Sequence, residues 1–137
     1  MDGIPFSPVL VIAGLAWAIN ELTKQLVGRS RGRRWFDPGG MPSGHAATMA
    51  ALATAIGLSE GVGSPLFALA IILCGIIFSD AHRVRWSVGQ QALRLNELGK
   101  RAKLKPLPIV RGHTGAEVII GAIYGALLAW GLWQLLQ

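Results

Sequence analysis

Four stretches of the chain are almost wholly apolar, roughly Pro8 to Val27, Gly44 to Leu58, Pro65 to Ala81 and His113 to Leu136, and the polar residues gather between them. A helix takes about 20 residues to cross the hydrocarbon core of a bilayer. The first and last stretches reach that length, while the middle two fall a little short unless neighbouring helices shelter their polar ends. The pattern predicts an all-α fold: a polytopic membrane helix bundle with four transmembrane helices. "SEGVGSP" (Ser59 to Pro65) brings Gly and Pro together as turn residues and makes the second and third stretches an antiparallel hairpin. The one long connection runs from His82 to Gly112. Within it Val84, Val88, Ala92, Leu95 and Leu98 recur at helical spacing opposite Arg and Lys, which predicts a basic amphipathic helix lying in the cytoplasmic interface. Pro106 and Pro108 are the expected stop.

Composition points the same way. The chain has 137 residues, enough for one domain spanning 1–137, and is 52% hydrophobic with only 15% charged residues. Its mean hydropathy of +0.47 is that of a small membrane protein. The net charge of +6 would suggest nucleic acid in a soluble protein, but here hydrophobic runs separate two basic windows. One holds Lys24, Arg29, Arg31, Arg33 and Arg34, and the other runs from Arg83 to Arg111. A nucleic-acid module spreads its basic face over a folded polar surface, so a nucleic-acid partner is not expected. Under the positive-inside rule both windows face the cytoplasm. The termini and the "SEGVGSP" turn then lie outside, and the protein is integral to the cytoplasmic (inner) membrane. No basic residue precedes Lys24, so the first stretch lacks the charged start of a cleaved signal peptide and is taken as retained. Cys74 sits inside an apolar run and reads as a small buried hydrophobe.

This topology gathers polar side chains at one membrane face. Lys24 ends the first helix with Arg31 beyond it, His45 opens the second, Ser79, Asp80, Arg83 and Arg85 end the third, and His113 and Glu117 open the fourth. A four-helix bundle brings such ends to one mouth. His113 and Glu117, four apart, share a helix face, so the carboxylate can hold one tautomer of the imidazole for use as a base or nucleophile. The plainer reading is an acidic residue capping a helix start. In "MPSGH", the Ser43 hydroxyl and the Gly44 amide are donors at a helix N-terminus, where a phosphate oxyanion is favoured; the plainer reading is Ser43 as an ordinary N-cap. Arg29, Arg33, Arg34 and most of the basic helix serve topology and anionic lipid headgroups. His82, Asp80, His113 and Glu117 lack metal-ligand spacing, and neither metal nor cofactor is expected.

Lys24 and Arg31, then "PSGH" at Pro42 to His45, then His113 with an acid four residues on, resemble in their order the type 2 phosphatidic acid phosphatase superfamily, which also holds the vanadium haloperoxidases. "GGMPSGH", "DAHRVRWSVGQQALRLN" and "GHTGAEVIIG" resemble the blocks of its divergent small branch, over roughly Glu21 to Gly125. The resemblance implies a membrane phosphatase acting on a lipid or polyprenyl phosphate. His113 is then the nucleophile that forms a phosphohistidine, Glu117 orients it, and His45 protonates the leaving alkoxide. Lys24, Arg31, Ser43, Gly44 and Arg83 or Arg85 hold the phosphate oxygens, with Asp80 fixing the arginine's fork. Membrane lipids are the other expected partners.

The chain also departs from the superfamily pattern. Gly32 follows Arg31 where a proline is usual, Leu107 stands where the third block has arginine, and the acid after His113 is Glu117 instead of Asp. Ser79 with Arg83 or Arg85 is the expected substitute for the missing guanidinium. A rival reading is a noncatalytic lipid-phosphate binding or transport module that kept the fold. A haloperoxidase ranks last, since those enzymes are large and soluble. Gly121 and Gly125 form a small-residue face on the last helix that suits a homo-oligomer with a second copy, or equally close packing within one bundle.

Overall fold

In a computed structural model, which describes residues 7–30, 41–109 and 112–136, the chain is helical, with no strand among those residues. The helices are α1 (Pro8–Ser30), α2 (Gly44–Glu60), α3 (Pro65–Ser79), α4 (Arg85–Arg101) and α5 (Gly115–Leu136), with a π-helical turn at Asp80–Val84 joining α3 to α4. Three helical runs are long and apolar enough to cross a membrane: Pro8–Gly28, the span Pro65–Arg101 that contains α3, and Gly115–Leu136. At 17 residues α2 is shorter.

α2 is the centre of the bundle, packed most extensively on α5 and then on α1 and α3. Its sequence explains that position. The buried residues are Ala46, Ala47, Ala51, Ala53, Ala55 and Ile56, and side chains that small let three helices approach closely at once. α5 answers with glycine: a Cβ on Gly121 would stand 2.8 Å from the Ser43 carbonyl oxygen, and one on Gly125 would overlap the Ala47 carbonyl. Of the two readings of Gly121 and Gly125, the structure shows close packing within the bundle, where both are buried against α2.

One apolar cluster joins Ile12, Ala16, Ala51, Ala55 and Ala129, and another joins Ala53, Ile56, Ala70 and Cys74. The Cys74 thiol donates to the Met49 carbonyl at 3.3 Å, tying α3 to α2. The Thr23 and Tyr124 hydroxyls, 2.8 Å apart, tie α1 to α5. Large apolar side chains such as Leu26, Leu69, Ile72, Ile119 and Leu127 point outward, which is the arrangement that lipid as solvent favours. The expected hairpin turn is present. Gly61 takes φ +84°, open to glycine at no steric cost, and Ser64 caps α3 by accepting from the Phe67 amide at 3.1 Å.

The connection after α3 differs from expectation. The third stretch does not end near Ala81; helical backbone continues through the π turn into α4. α4 ends at Arg101, short of Pro106 and Pro108, because the chain caps itself there. The Ala102 and Leu104 amides both donate to the Gly99 carbonyl at 3.1 Å, and Lys103 adopts φ +54°. The Asn96 amide then clamps the returning chain, donating to the Leu107 carbonyl at 3.0 Å and accepting from the Leu107 amide at 2.7 Å.

Candidate active site

The site grows from the ends of α1, α2 and α5 and from the π turn. On α1, Ile12, Ala16, Asn20 and Lys24 follow one another at four-residue intervals. That stripe faces inward, apolar at one end and polar at the other. Lys24 lies 3.8 Å from Glu21. Both line a cavity of about 270 Å³ that they share with Gly44 and His45, and Trp17, Met49 and Ile77 form its apolar part.

His45, the second residue of α2, meets Arg85 from the start of α4, with Nη2 3.1 Å from the imidazole Nε2. A guanidinium can only donate, so Nε2 accepts and this His45 is the neutral tautomer with its proton on Nδ1. Arg85 also lies 3.8 Å from Asp80, which steadies its fork. Of the two arginines left open by the sequence, Arg85 is thus the one beside His45. Arg83 lines a separate cavity with His82, Trp86 and Ser87. Ser79 is also elsewhere: it is exposed and lines an outer apolar groove with Ile72 and Ile76, so it does not join the arginine at His45. Arg31 lies outside the described residues.

The π turn also fixes the chain before α5. The His113 amide donates to the Ala81 carbonyl at 3.1 Å, and His82 Nδ1 donates to the His113 carbonyl at 2.9 Å. A Cβ on Gly112 would stand 2.6 Å from the Trp86 amide nitrogen, so glycine is what lets this segment lie against the helix. π turns recur at functional sites because the extra residue re-aims the side chains that follow.

At the start of α5, Thr114 and Glu117 make a capping box. The Thr114 amide donates to Glu117 Oε2 at 2.9 Å, and the Glu117 amide donates to the Thr114 hydroxyl at 3.2 Å. The same carboxylate oxygen lies 3.5 Å from His113 Nδ1. That contact is too long and too poorly aimed to count as a hydrogen bond, and Nδ1 has no other partner. Glu117 is therefore both a cap and the neighbour of the imidazole. Burial pushes the pKa of His113 below the usual imidazole range; the Glu117 carboxylate opposes that shift, and the Lys24 charge adds to it. His113 is thus held neutral down to lower pH than a free imidazole, with Nδ1 toward the carboxylate.

Ser43 is fully buried and stands at the N-cap position of α2, but its side chain makes no capping bond there. Its hydroxyl has no partner, and neither does the amide of Asn20, also fully buried. Sequence reasoning passed over Asn20. Its signal was an amide on an otherwise apolar helix stripe, four residues before Lys24. Among the described residues no group of three His, Cys, Asp or Glu converges as metal ligands.

A family profile described as "Divergent PAP2 family" matches residues 6–128. The chain is similar to the "Uncharacterized membrane protein YuiD" of Bacillus subtilis (strain 168), 36% identical over an alignment covering 66% of this chain and 68% of that protein. No solved structure matches.

Proposed function

The chain belongs to the divergent PAP2 family, and from that premise we propose that it is an integral membrane phosphatase that hydrolyses a lipid or polyprenyl phosphate through a phosphohistidine. The observation that carries this reading is that two imidazoles, each beside its own charged partner, and a lysine sit near one another at the same helix ends: His113 with Glu117, His45 with Arg85, and Lys24 lining the cavity that contains His45. Polar groups of this kind are costly in a membrane protein unless they serve a ligand.

In this mechanism the phosphate enters the mouth while its lipid tail lies along the apolar part of the cavity, past Trp17 and Ile77. Arg85, Lys24, Arg31, the Ser43 hydroxyl and the Gly44 amide hold the nonbridging oxygens, and Asp80 steadies Arg85. Arg85 turning from His45 to the phosphate frees Nε2, which takes a proton from solvent and makes His45 the imidazolium. His113 Nε2 attacks phosphorus, and the bond to the lipid oxygen breaks. His45 gives its proton to the departing alkoxide. Water then attacks the phosphohistidine, its proton goes to His45, the phosphorus–nitrogen bond breaks and phosphate leaves. Glu117 stabilises the charge that develops on His113.

In the membrane α2 makes a fourth, short crossing inside the bundle, and α4 lies in the cytoplasmic interface. Its exposed Val88, Leu95 and Leu98 face lipid tails, and its arginines and lysines face headgroups. The site then faces the cytoplasm with both termini outside. A cysteine placed in the Gly61–Ser64 turn is expected to react with an impermeant thiol reagent from outside only; labelling from the cytoplasm would invert the topology.

The test of function is phosphate release by detergent-purified protein from undecaprenyl diphosphate and monophosphate, phosphatidic acid and phosphatidylglycerophosphate, with His113→Ala beside it. Wild type is expected to release phosphate from at least one of them, and loss of the nucleophile to reduce release by about 10³-fold or more. Equal lipid binding with no release by either protein would instead favour a noncatalytic lipid-phosphate module, the reading to which the leucine at position 107 lends support.

A further inference from the structure

Asn20 carries a whole side-chain amide into the bundle interior. It is fully buried on α1, and both its amide nitrogen and its amide oxygen lack a hydrogen-bond partner. Buried amides are nearly always satisfied, so one that finds no partner in the fold points to a partner from outside the chain. Its direction identifies that ligand. Nδ2 lies 3.6 Å from where a Cβ on Gly44 would stand, at the first residue of α2, and Gly44 follows Ser43, whose buried hydroxyl is unpartnered too. Nδ2 thus lies beside a helix N-terminus, where amide hydrogens and the helix dipole favour an anion. Glu21 Oε1 comes within 2.7 Å of the same Cβ position, so a carboxylate rests at this helix end and Lys24 balances it.

We propose that Asn20 is a further phosphate-binding residue, an inference that rests on the phosphatase reading above. A hydrated phosphate group satisfies the orphaned atoms of Asn20 and Ser43 at once. Its nonbridging oxygens accept from Asn20 Nδ2 and from the Ser43 hydroxyl, and its water donates to Asn20 Oδ1. A structural asparagine would use at least one of its atoms to bind the fold, and this one uses neither.

The experiment replaces Asn20 by leucine, similar in size and without polar atoms, and follows thermal unfolding of the detergent-purified protein with and without inorganic phosphate, alongside phosphate release. Asn20→Leu is expected to unfold at a higher temperature than wild type, since it removes the unsatisfied amide, yet to lose the upward shift that phosphate gives wild type. Release is expected to fall about 10²-fold. Should leucine prevent folding, Asn20→Asp keeps the size and is expected to lose the phosphate shift through charge repulsion. Three results would overturn the inference: a leucine variant that keeps the full phosphate shift, one that unfolds earlier than wild type, or a wild-type protein that shows no phosphate shift. A phosphate shift that depends on Asn20 in a protein that never turns over would sustain this inference while ending the hydrolytic one.

Discussion

The seam between α2 and α5 and the arm formed by α3 and α4 each deliver one part of the site, and they do so in opposite ways. At the seam, glycine against alanine leaves no free space, and the capping box and the two hydrogen bonds to the π turn, one from backbone and one from the His82 ring, hold His113 in place. Along the arm most side chains are exposed, α4 leans on little beyond the π turn, and Arg85 reaches His45 through its side chain alone. A nucleophile benefits from being fixed before substrate arrives, whereas a phosphate clamp that also holds the general acid must be able to change partners. The difference between close-packed and loosely attached helices suits the division of labour in the proposed mechanism.

The sharpest way to break the comparison is at the arm's two arginines. Arg85→Ala is expected to lower kcat/KM for the released phosphate by about 10²- to 10³-fold, as loss of one preorganised donor to the transition state does. Arg83→Ala, in its separate cavity, is expected to stay within about threefold, as an exposed charge does when it is removed. Equal losses would mean that the arm does not present one arginine in particular. At the seam, Gly125→Leu forces a side chain into the Ala47 backbone and is expected to cost about 3 kcal/mol or more. Thermal unfolding in detergent checks this, and unfolding at the wild-type temperature would mean that the helices are not in close contact.

Two smaller effects sharpen the account of His113. In the proposed mechanism the imidazole attacks only when neutral, and Glu117 is the neighbour that raises its pKa. Glu117→Gln is therefore expected to move the acidic limb of the pH–kcat/KM profile to lower pH while the rate falls; a limb that moves up, or not at all, would detach the carboxylate from the imidazole. Thr114→Ala removes one half of the capping box and is expected to cost about 1 kcal/mol. Since the Thr114 amide can still donate to Glu117, the pH limb should not move.

Much of the architecture was legible because it is local. Four apolar stretches correspond to α1, α2, α3 and α5, "SEGVGSP" is the α2–α3 turn, and the four-residue spacing of His113 and Glu117 places the carboxylate beside the ring. The arm was less legible. Prolines at 106 and 108 looked like the stop for the amphipathic helix, but Gly99 and Asn96 end it earlier through contacts that no proline signal encodes. The glycines of α5 were open to two readings, and burial against Ser43 and Ala47 decides for the interior.

By itself the sequence determined the helical class, the membrane character, the hairpin, the cap before α5 and the family, all of which rest on residues a few positions apart or on ordered motifs. Only the tertiary structure decided that Arg85 and not Arg83 meets His45, across forty positions, and that Asn20 lies buried beside the start of α2 with no partner. The physical reason is rotational. Each residue turns a helix by about 100°, so the one extra residue of the π turn redirects every side chain beyond it, and which one then finds a partner depends on how the helices pack.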